Sequence, residues 1–288
     1  MGETPRKKGT RLLVKVTHDT LPQIKDRYPF LYLERGRLEI DDSSVKWIDC
    51  EGQVIRLPIA TVSTLLLGPG TSVTHEAIKV LAAANCTVCW VGEDSLLFYA
   101  TGISPTANTR NLRKQMQIAC NEEKALAVAR RMFTRRFPEE DLSNKKLREM
   151  MGMEGYRIHQ VYEEKAEFYR VGWKGRSYIP GKMELSDITN QILTSCNAAL
   201  YGILVSCIYS MGYSPHIGFI HSGSPLPFVY DMADLYKEEL CIDLAFRLTL
   251  EMAGSYNKYR VSEEFRELVM EMKLLERINP DIEEMLGG

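Results

Sequence analysis

Four side chains in two separate stretches of this chain are of the types that hold a divalent cation. Glu154 lies in REMMGMEGYRIHQ, and well downstream GFIHSGSPLPFVYDMADLYKEE carries His221, Asp231 and Asp234. An ion held by a Glu, a His and an Asp, with coordination positions left open, is Mg²⁺ or Mn²⁺ of the kind that handles phosphate oxygens; the imidazole tilts the choice toward Mn²⁺. Each residue alone has a plainer reading. A single Glu on a helix ordinarily meets water, a single His beside a turn is ordinarily hydrogen-bonded there, and Asp231 could simply favour the positive end of its helix.

The local sequence sets how these groups are presented. Ser222, Gly223, Ser224, Pro225 and Pro227 mark a turn, after which FVYDMADLYKEELCIDLAF has the period of a helix. Residues three apart share a helix face, so Asp231 and Asp234 are expected side by side, repelling each other unless a cation lies between or near them. Up to about Gly102 the pattern is one of short alternating runs, FLYLER, GRLEID, SVKWID, QVIRLP, VSTLLLG, TVCWVG and SLLFYATG, interrupted by a helix THEAIKVLAAAN that Thr74 caps. TGISPTAN is a polar, turn-rich linker. Beyond it the helical period dominates, in NLRKQMQIACNEEKALAVARRMFTRRF, NKKLREMMGMEGYRIHQVYEEKAEFYR, ITNQILTSCNAALYGILVSCIYSMG, FVYDMADLYKEELCIDLAFRLTLEMA and SEEFRELVMEMKLLERI. The expected fold class is α+β, with a β-sandwich-like N-terminal domain over residues 1–102 and a larger all-helical C-terminal domain over residues 103–288.

A chain of 288 residues with ordinary apolar content can bury a full core. MGETPRKKGTRLLVKV has basic residues but no apolar core of signal-peptide length, and Pro5 and Arg6 weaken Gly2 as a myristoylation cue. ALYGILVSCIYSMGY is shorter than a membrane span and reads as a buried helix, so no membrane association is expected. Seven cysteines, scattered and odd in number, fit a reducing cytosol and a cytoplasmic protein. Cys86 and Cys89 form one CxxC without a second pair at zinc spacing, and a strand there would send the two thiols to opposite faces; both read as buried structural cysteines.

A net charge of −2 is not the footprint of a generic DNA-binding protein, so any such case rests on how charge is distributed. From Arg110 to Arg157 there are twelve Lys/Arg against seven Asp/Glu, and from Asp231 to the end seven against fourteen. If the first long helix is continuous and turns about 100° per residue, Arg113, Lys124, Arg131 and Arg135 fall within about 40° of one another, with Val128 close to the edge of the stripe. That stripe reads either as a solvated face or as a DNA track.

The run IGFIHSGSPLPFVYDMADLYK, the EGYR at Glu154, the segment WKGRSYIPGK and the helix DITNQILTSCNAALYG resemble the CRISPR-associated integrase that inserts new spacers, most closely its type I-E branch. The resemblance runs from about Phe30 to about Asn279 and is densest in the second half. It implies a metal-dependent DNA integrase: the 3′-OH of a captured fragment attacks the CRISPR repeat by transesterification, with endonuclease activity as a side capacity. Glu154, His221 and Asp234 match the family's metal ligands, and Asp231 matches a further acidic position of that catalytic site. A proton-shuttle role for His221 stays open beside ligation. His18, His75, His159 and His216 lack such partners and read as structural or exposed.

The resemblance also implies partners: duplex DNA with free 3′-OH ends, CRISPR repeat DNA, a second copy of the chain in a homodimer, and a small ferredoxin-like CRISPR-associated protein. Arg113, Lys124, Arg131, Arg135, Arg157, Tyr178 and Tyr201 are the candidate DNA contacts, although Tyr201, on an apolar helix, could equally be core. The chain departs from some members in lacking an aromatic at Glu34, Arg35 and Gly36, in having Ser224 and Leu97 where a lysine and an arginine can occur, and in stopping at Gly288 without a Pro-rich tail. A non-catalytic DNA-binding scaffold and a free-standing metal-dependent repair nuclease are the alternative functions.

Overall fold

The seven alternating runs near the N-terminus each form a strand and, with one further short strand outside them, give eight strands in two four-stranded sheets among the described residues. The structure is a computed structural model that describes residues 21–41, 44–92, 98–102, 109–177 and 186–287. One sheet has the order β1-β5-β7-β8, with β1 (Tyr28–Leu33), β5 (Val62–Leu67) and β7 (Thr87–Val91) parallel and β8 (Phe98–Gly102) antiparallel. The other has the order β4-β3-β2-β6, in which β2 (Gly36–Asp41), β3 (Ser44–Asp49) and β4 (Val54–Leu57) form an antiparallel meander and β6 (Thr71–Val73) joins β2 in parallel. Every residue of β5 is buried, as a strand covered on both faces requires. Leu65 and Leu67 join Leu38, Val45 and Trp47 in a core shared by the two sheets and by helix α1 (His75–Ala83), which Thr74 caps by accepting the Ala77 N–H. Leu66 faces the helices instead. Cys86 and Cys89 divide the same way between the two cores, both free and buried, and burial pushes both thiols up to about 12.

The helical half is built around α5 (Ile188–Ser210), which packs against β5 and against α6 (Pro227–Ala233), α7 (Asp243–Met252), α8 (Lys258–Glu271) and α9 (Leu274–Met285). By length and composition α5 could cross a membrane, but 83% of its apolar window is buried inside the protein, and its role here is that of the core helix. Gly202 lets it close on the sheet, since a Cβ there would lie 2.8 Å from Leu66 Cδ2. Beside that contact Thr87 Oγ1 donates to Ser206 Oγ at 2.9 Å and Ser206 Oγ meets Ser63 Oγ at 3.2 Å, so the buried hydroxyls satisfy one another. A β-rich N-terminal half followed by a helix-dominated C-terminal half is the expected α+β architecture.

Three helices expected to be continuous are interrupted. The first divides into α2 (Arg110–Ala119) and α3 (Glu122–Arg136), because Asn121 caps a new start by accepting the Lys124 N–H, with Glu122 and Glu123 in the following turn. Arg113 therefore sits on a different helix from Lys124, Arg131 and Arg135, and the single stripe drawn for one unbroken helix does not exist. The last expected helix breaks at Lys273, which takes a positive φ of 51°, before α9. After α6 the chain passes through turns and a π-helical segment, Glu238–Ile242, before α7. By contrast α4 (Leu147–Tyr169), which carries Glu154, is unbroken.

The two halves are clamped at the β1–β2 turn. Phe30 packs on Phe265 of α8, and Glu34 accepts both the Tyr32 hydroxyl and the Lys258 ammonium. Burial raises the Glu34 carboxyl, but those two hydrogen bonds and the Lys258 charge outweigh it and hold the group below its ordinary value. A carboxylate whose folded pKa is depressed stabilises the fold in full above its unfolded pKa, near 4.5, and loses that contribution as pH falls through the lower folded value. Glu34→Gln should therefore lower the urea midpoint at pH 7, and the gap to wild type should shrink between pH 5 and pH 3. A gap independent of pH would show that the Glu34 charge contributes nothing to the clamp.

Candidate active site

Asp231 organises the segment that leads into α6. Its carboxylate is 1% exposed. Oδ2 accepts the backbone N–H groups of Phe219 at 2.6 Å and Ile220 at 3.2 Å, while Oδ1 accepts the His221 N–H at 2.9 Å and meets His221 Nδ1 at 2.8 Å. Gly218 makes this approach possible, because a Cβ there would lie 2.7 Å from Pro227 Cβ and 2.9 Å from Asp231 Oδ2. The preceding loop is held from α2. The buried Gln115 amide accepts the Ser214 N–H at 2.8 Å and donates to the carbonyls of Ser214 at 2.9 Å and Ile217 at 2.8 Å. His216, expected to be structural or exposed, is exposed and ties the loop across to the Pro225 carbonyl at 2.9 Å.

With Nδ1 committed to Asp231, the His221 ring presents Nε2 to Asp234, 3.8 Å from Oδ2. The hydrogen bond to Asp231 raises the His221 pKa; burial opposes this and the Asp234 charge adds to it. Asp234, the residue just beyond α6, does not stand beside Asp231 as a bare carboxylate pair. It takes the Lys237 ammonium at 2.8 Å and lies 4.0 Å from the Arg136 guanidinium, which is in contact with Glu154. Burial lowers the Lys237 pKa, but the Asp234 charge, the neighbouring Tyr201 and the hydrogen bonds to both together outweigh it, and the net shift is upward. Glu154 thus arrives from α4, Asp234 and Lys237 from the stretch after α6, and Arg136 from the last residue of α3.

The sequence-predicted residues meet unequally. Asp231, His221 and Asp234 adjoin one another and Glu154 is linked to Asp234 through Arg136, while Tyr201 on α5 is stacked edge-on with Tyr230 at 5.1 Å and Lys237 lies 5.2 Å over its ring. Arg157 pairs with Glu238 at 2.8 Å and covers the Phe137 ring. Arg135 and Arg131 turn away toward α9: Arg135 to Asp281 at 2.6 Å and Glu284 at 3.5 Å, Arg131 to the Met285 carbonyl at 2.8 Å. Arg113 and Lys124 are exposed on α2 and α3. Tyr178, Leu97 and residues 103–108 of the expected linker lie outside the described residues.

Arg136 and Lys237 were not anticipated. Lys237 had a signal in its spacing of three from Asp234. Arg136 had none beyond membership of a basic segment. Beside the site an open cleft of about 410 Å³ is lined by Arg135, Arg136, Arg157 and Lys165 on one side of the charge balance and by Asp234, Glu238, Glu239 and Asp243 on the other.

The donor set fits a divalent ion in kind. An imidazole whose far nitrogen is held by a buried carboxylate, beside a Glu and an Asp, is the arrangement that orients metal-binding histidines. Among the described residues, no three His, Cys, Asp or Glu side chains converge closely enough to hold an ion as they stand. Arg136 and Lys237 supply the compensating charge in their place.

The sequence profile of the family described as "CRISPR associated protein Cas1" matches residues 30–140 and 138–278. A CRISPR-associated endonuclease Cas1 2 of Chlorobaculum tepidum is 64% identical over 277 residues, spanning 96% of this chain and 94% of that protein. The crystal structure of a TtCas1–DNA complex is similar with a TM-score of 0.79 at 34% identity, covering 90% of this chain and 92% of that one. TtCas1 itself gives a TM-score of 0.80 at 33% identity, over 92% and 98% of the two chains.

Loss of the Asp231 carboxylate leaves three backbone N–H groups and an imidazole without their acceptor. At about 1–3 kcal/mol per stranded buried donor, Asp231→Ala should cost at least about 3 kcal/mol in urea unfolding, and Asp231→Asn distinctly less, since the amide oxygen still accepts. Equal and small losses in both variants would mean that the segment 219–221 does not depend on this carboxylate.

Proposed function

The chain belongs to the Cas1 family of CRISPR-associated proteins, and from that premise we propose that it is a metal-dependent DNA integrase. In this reading it inserts captured foreign DNA fragments into a CRISPR array by 3′-OH transesterification and retains endonuclease capacity. The observation that carries the reading is the approach of the His221 ring, aimed by Asp231, to Asp234, which Arg136 links to Glu154 on α4.

Glu154, His221 through Nε2, and Asp234 would hold Mg²⁺ or Mn²⁺. When bound, such an ion neutralises charge on the attacked phosphate and lowers the pKa of the attacking hydroxyl. The chain's own groups do the rest. Asp231 fixes the Nδ1 proton of His221, and so the direction of the ring. Lys237, adjacent to Asp234, is placed to meet phosphate charge. In the transesterification a new bond forms between the attacking 3′-oxygen and the phosphorus, the bond to the departing 3′-oxygen breaks, and the proton of the first hydroxyl is balanced by protonation of the second. Reacting ends held in line account for much of such a barrier, which assigns DNA binding to the surrounding cations.

Duplex DNA with free 3′-OH ends and CRISPR repeat DNA are the proposed substrates. Arg113, Lys124, Arg157, Tyr178 and Tyr201 remain candidate contacts. Arg131 and Arg135 belong to the same proposal, but only after exchange of their α9 partners for phosphate. A homodimer through the N-terminal domain, a small ferredoxin-like CRISPR-associated partner and membership of the type I-E branch rest on the motif resemblance, while a boundary near residue 102 rests on the change of sequence pattern there and a cytoplasmic setting on the scattered cysteines. A non-catalytic scaffold is the second reading, favoured by the pairing of Glu154 and Asp234 with Arg136 and Lys237, which neutralises the carboxylates without an ion.

An integration assay separates the two. With a labelled duplex carrying free 3′-hydroxyls, a supercoiled repeat plasmid and the partner protein, Glu154→Ala, His221→Ala and Asp234→Ala should each abolish strand transfer while duplex binding persists. Near-wild-type transfer in any one variant would remove that residue from the site. Transfer absent in the wild type under Mg²⁺ and Mn²⁺ alike would leave the scaffold.

A further inference from the structure

Arg136 is the least accessible cation of the site and touches Glu154 while also approaching Asp234. Its side chain is 9% exposed, against 18% for Glu154 and 11% for Asp234. The same nitrogen, Nη1, contacts Glu154 Oε1 and lies 4.0 Å from Asp234 Oδ2. It therefore stands in the gap between the two carboxylates. An oxygen ligand must come to about 2.0–2.1 Å from Mg²⁺, so an ion shared by these carboxylates requires that gap.

The placement of Arg136 is built into the fold. Its backbone is the last residue of α3, at the negative end of the helix dipole, where a cation is favoured. The guanidinium also lies 5.8 Å from the Phe137 ring centroid. A guanidinium stays charged at any accessible pH, so titration does not release it.

We propose that Arg136 is an internal counter-cation that keeps Glu154 and Asp234 assembled in the absence of metal and competes directly with a divalent ion for them. The inference rests on the metal-site reading above. Entry of a doubly charged ion beside Arg136 and Lys237 sets like charges together, so the ion must displace the guanidinium. The adjoining cleft gives it a destination. Arg136 lines that cleft together with Glu238, Glu239 and Asp243, and a displaced guanidinium there meets carboxylates or a DNA phosphate, both of which suit its planar fork. The site is thereby held ordered without metal at the cost of weaker metal binding.

The test is binding of Mn²⁺ alone to the full chain, followed by calorimetric titration and by the electron paramagnetic resonance signal of the free ion. Arg136→Met keeps an unbranched side chain and removes the charge; it should bind Mn²⁺ at least about tenfold more tightly than wild type. The same variant should melt at a lower temperature than wild type in EDTA, and its melting temperature should rise more on adding Mn²⁺. Arg136→Gln, which removes the charge but keeps a polar side chain, gives the same comparison if the Met variant does not fold. Mn²⁺ affinity in the uncharged variants no greater than wild type overturns the proposal. Glu154→Gln separates this from failure of the metal site itself. If Mn²⁺ binds wild type and Glu154→Gln alike, the ion lies elsewhere and both readings fall; if Glu154→Gln loses the ion while the Arg136 variants gain nothing, the counter-cation alone falls.

Discussion

The geometry of the site depends on one buried carboxylate that faces the backbone. Asp231 gathers three consecutive N–H groups and the Nδ1 of the last of them, and no regular secondary structure is available to satisfy residues 219–221 otherwise. A buried amide without an acceptor is costly, so the segment and the helix that carries Asp231 are set in register with each other. The imidazole direction follows from that register. What faces Asp234 is then a ring with one nitrogen already committed.

Around that anchor the charges close without a metal ion. Arg136 and Lys237 meet Glu154 and Asp234, and Arg157, Lys165 and Arg277 meet Glu238, Asp243 and Glu239 along the neighbouring cleft. The expectation of two repelling carboxylates on one helix face overlooked that Asp231 turns to the backbone while Asp234, beyond the end of α6, turns to cations. The π-helical segment that follows lies where the continuous helix was expected, and it carries Glu238 and Glu239 to the cleft. A surface whose cations already hold carboxylates offers phosphate an exchange of partners rather than vacant charge. That is consistent with a net charge near zero.

The framework that delivers these groups is the contact between α5 and the parallel strands. A glycine at 202 and three small hydroxyl side chains let the helix lie close over β5 and β7, and α6, which carries Asp231, packs on the same helix, while α4 joins the site through α7, α3 and the π-helical segment. Gln115 reaches across from α2 to pin the loop that precedes His221.

Much of this was legible in local sequence. Alternation marked seven of the eight strands, Thr74 was readable as a cap, and the long apolar run of α5 announced a buried helix. The Asn121-Glu122-Glu123 start signal was equally local, but a reading by periodicity passed over it. The convergence of Glu154, His221, Asp231 and Asp234 came from a string of motifs in a recognisable order, since nothing in their spacing joins residues on separate elements. Arg136 and its contact with Glu154, the three N–H groups on Asp231 and the turning of Arg131 and Arg135 to α9 were decided only by tertiary structure. Periodicity, caps and turns are set by neighbours within a few residues, whereas the partner of a buried charge is set by which distant segments the core brings against it.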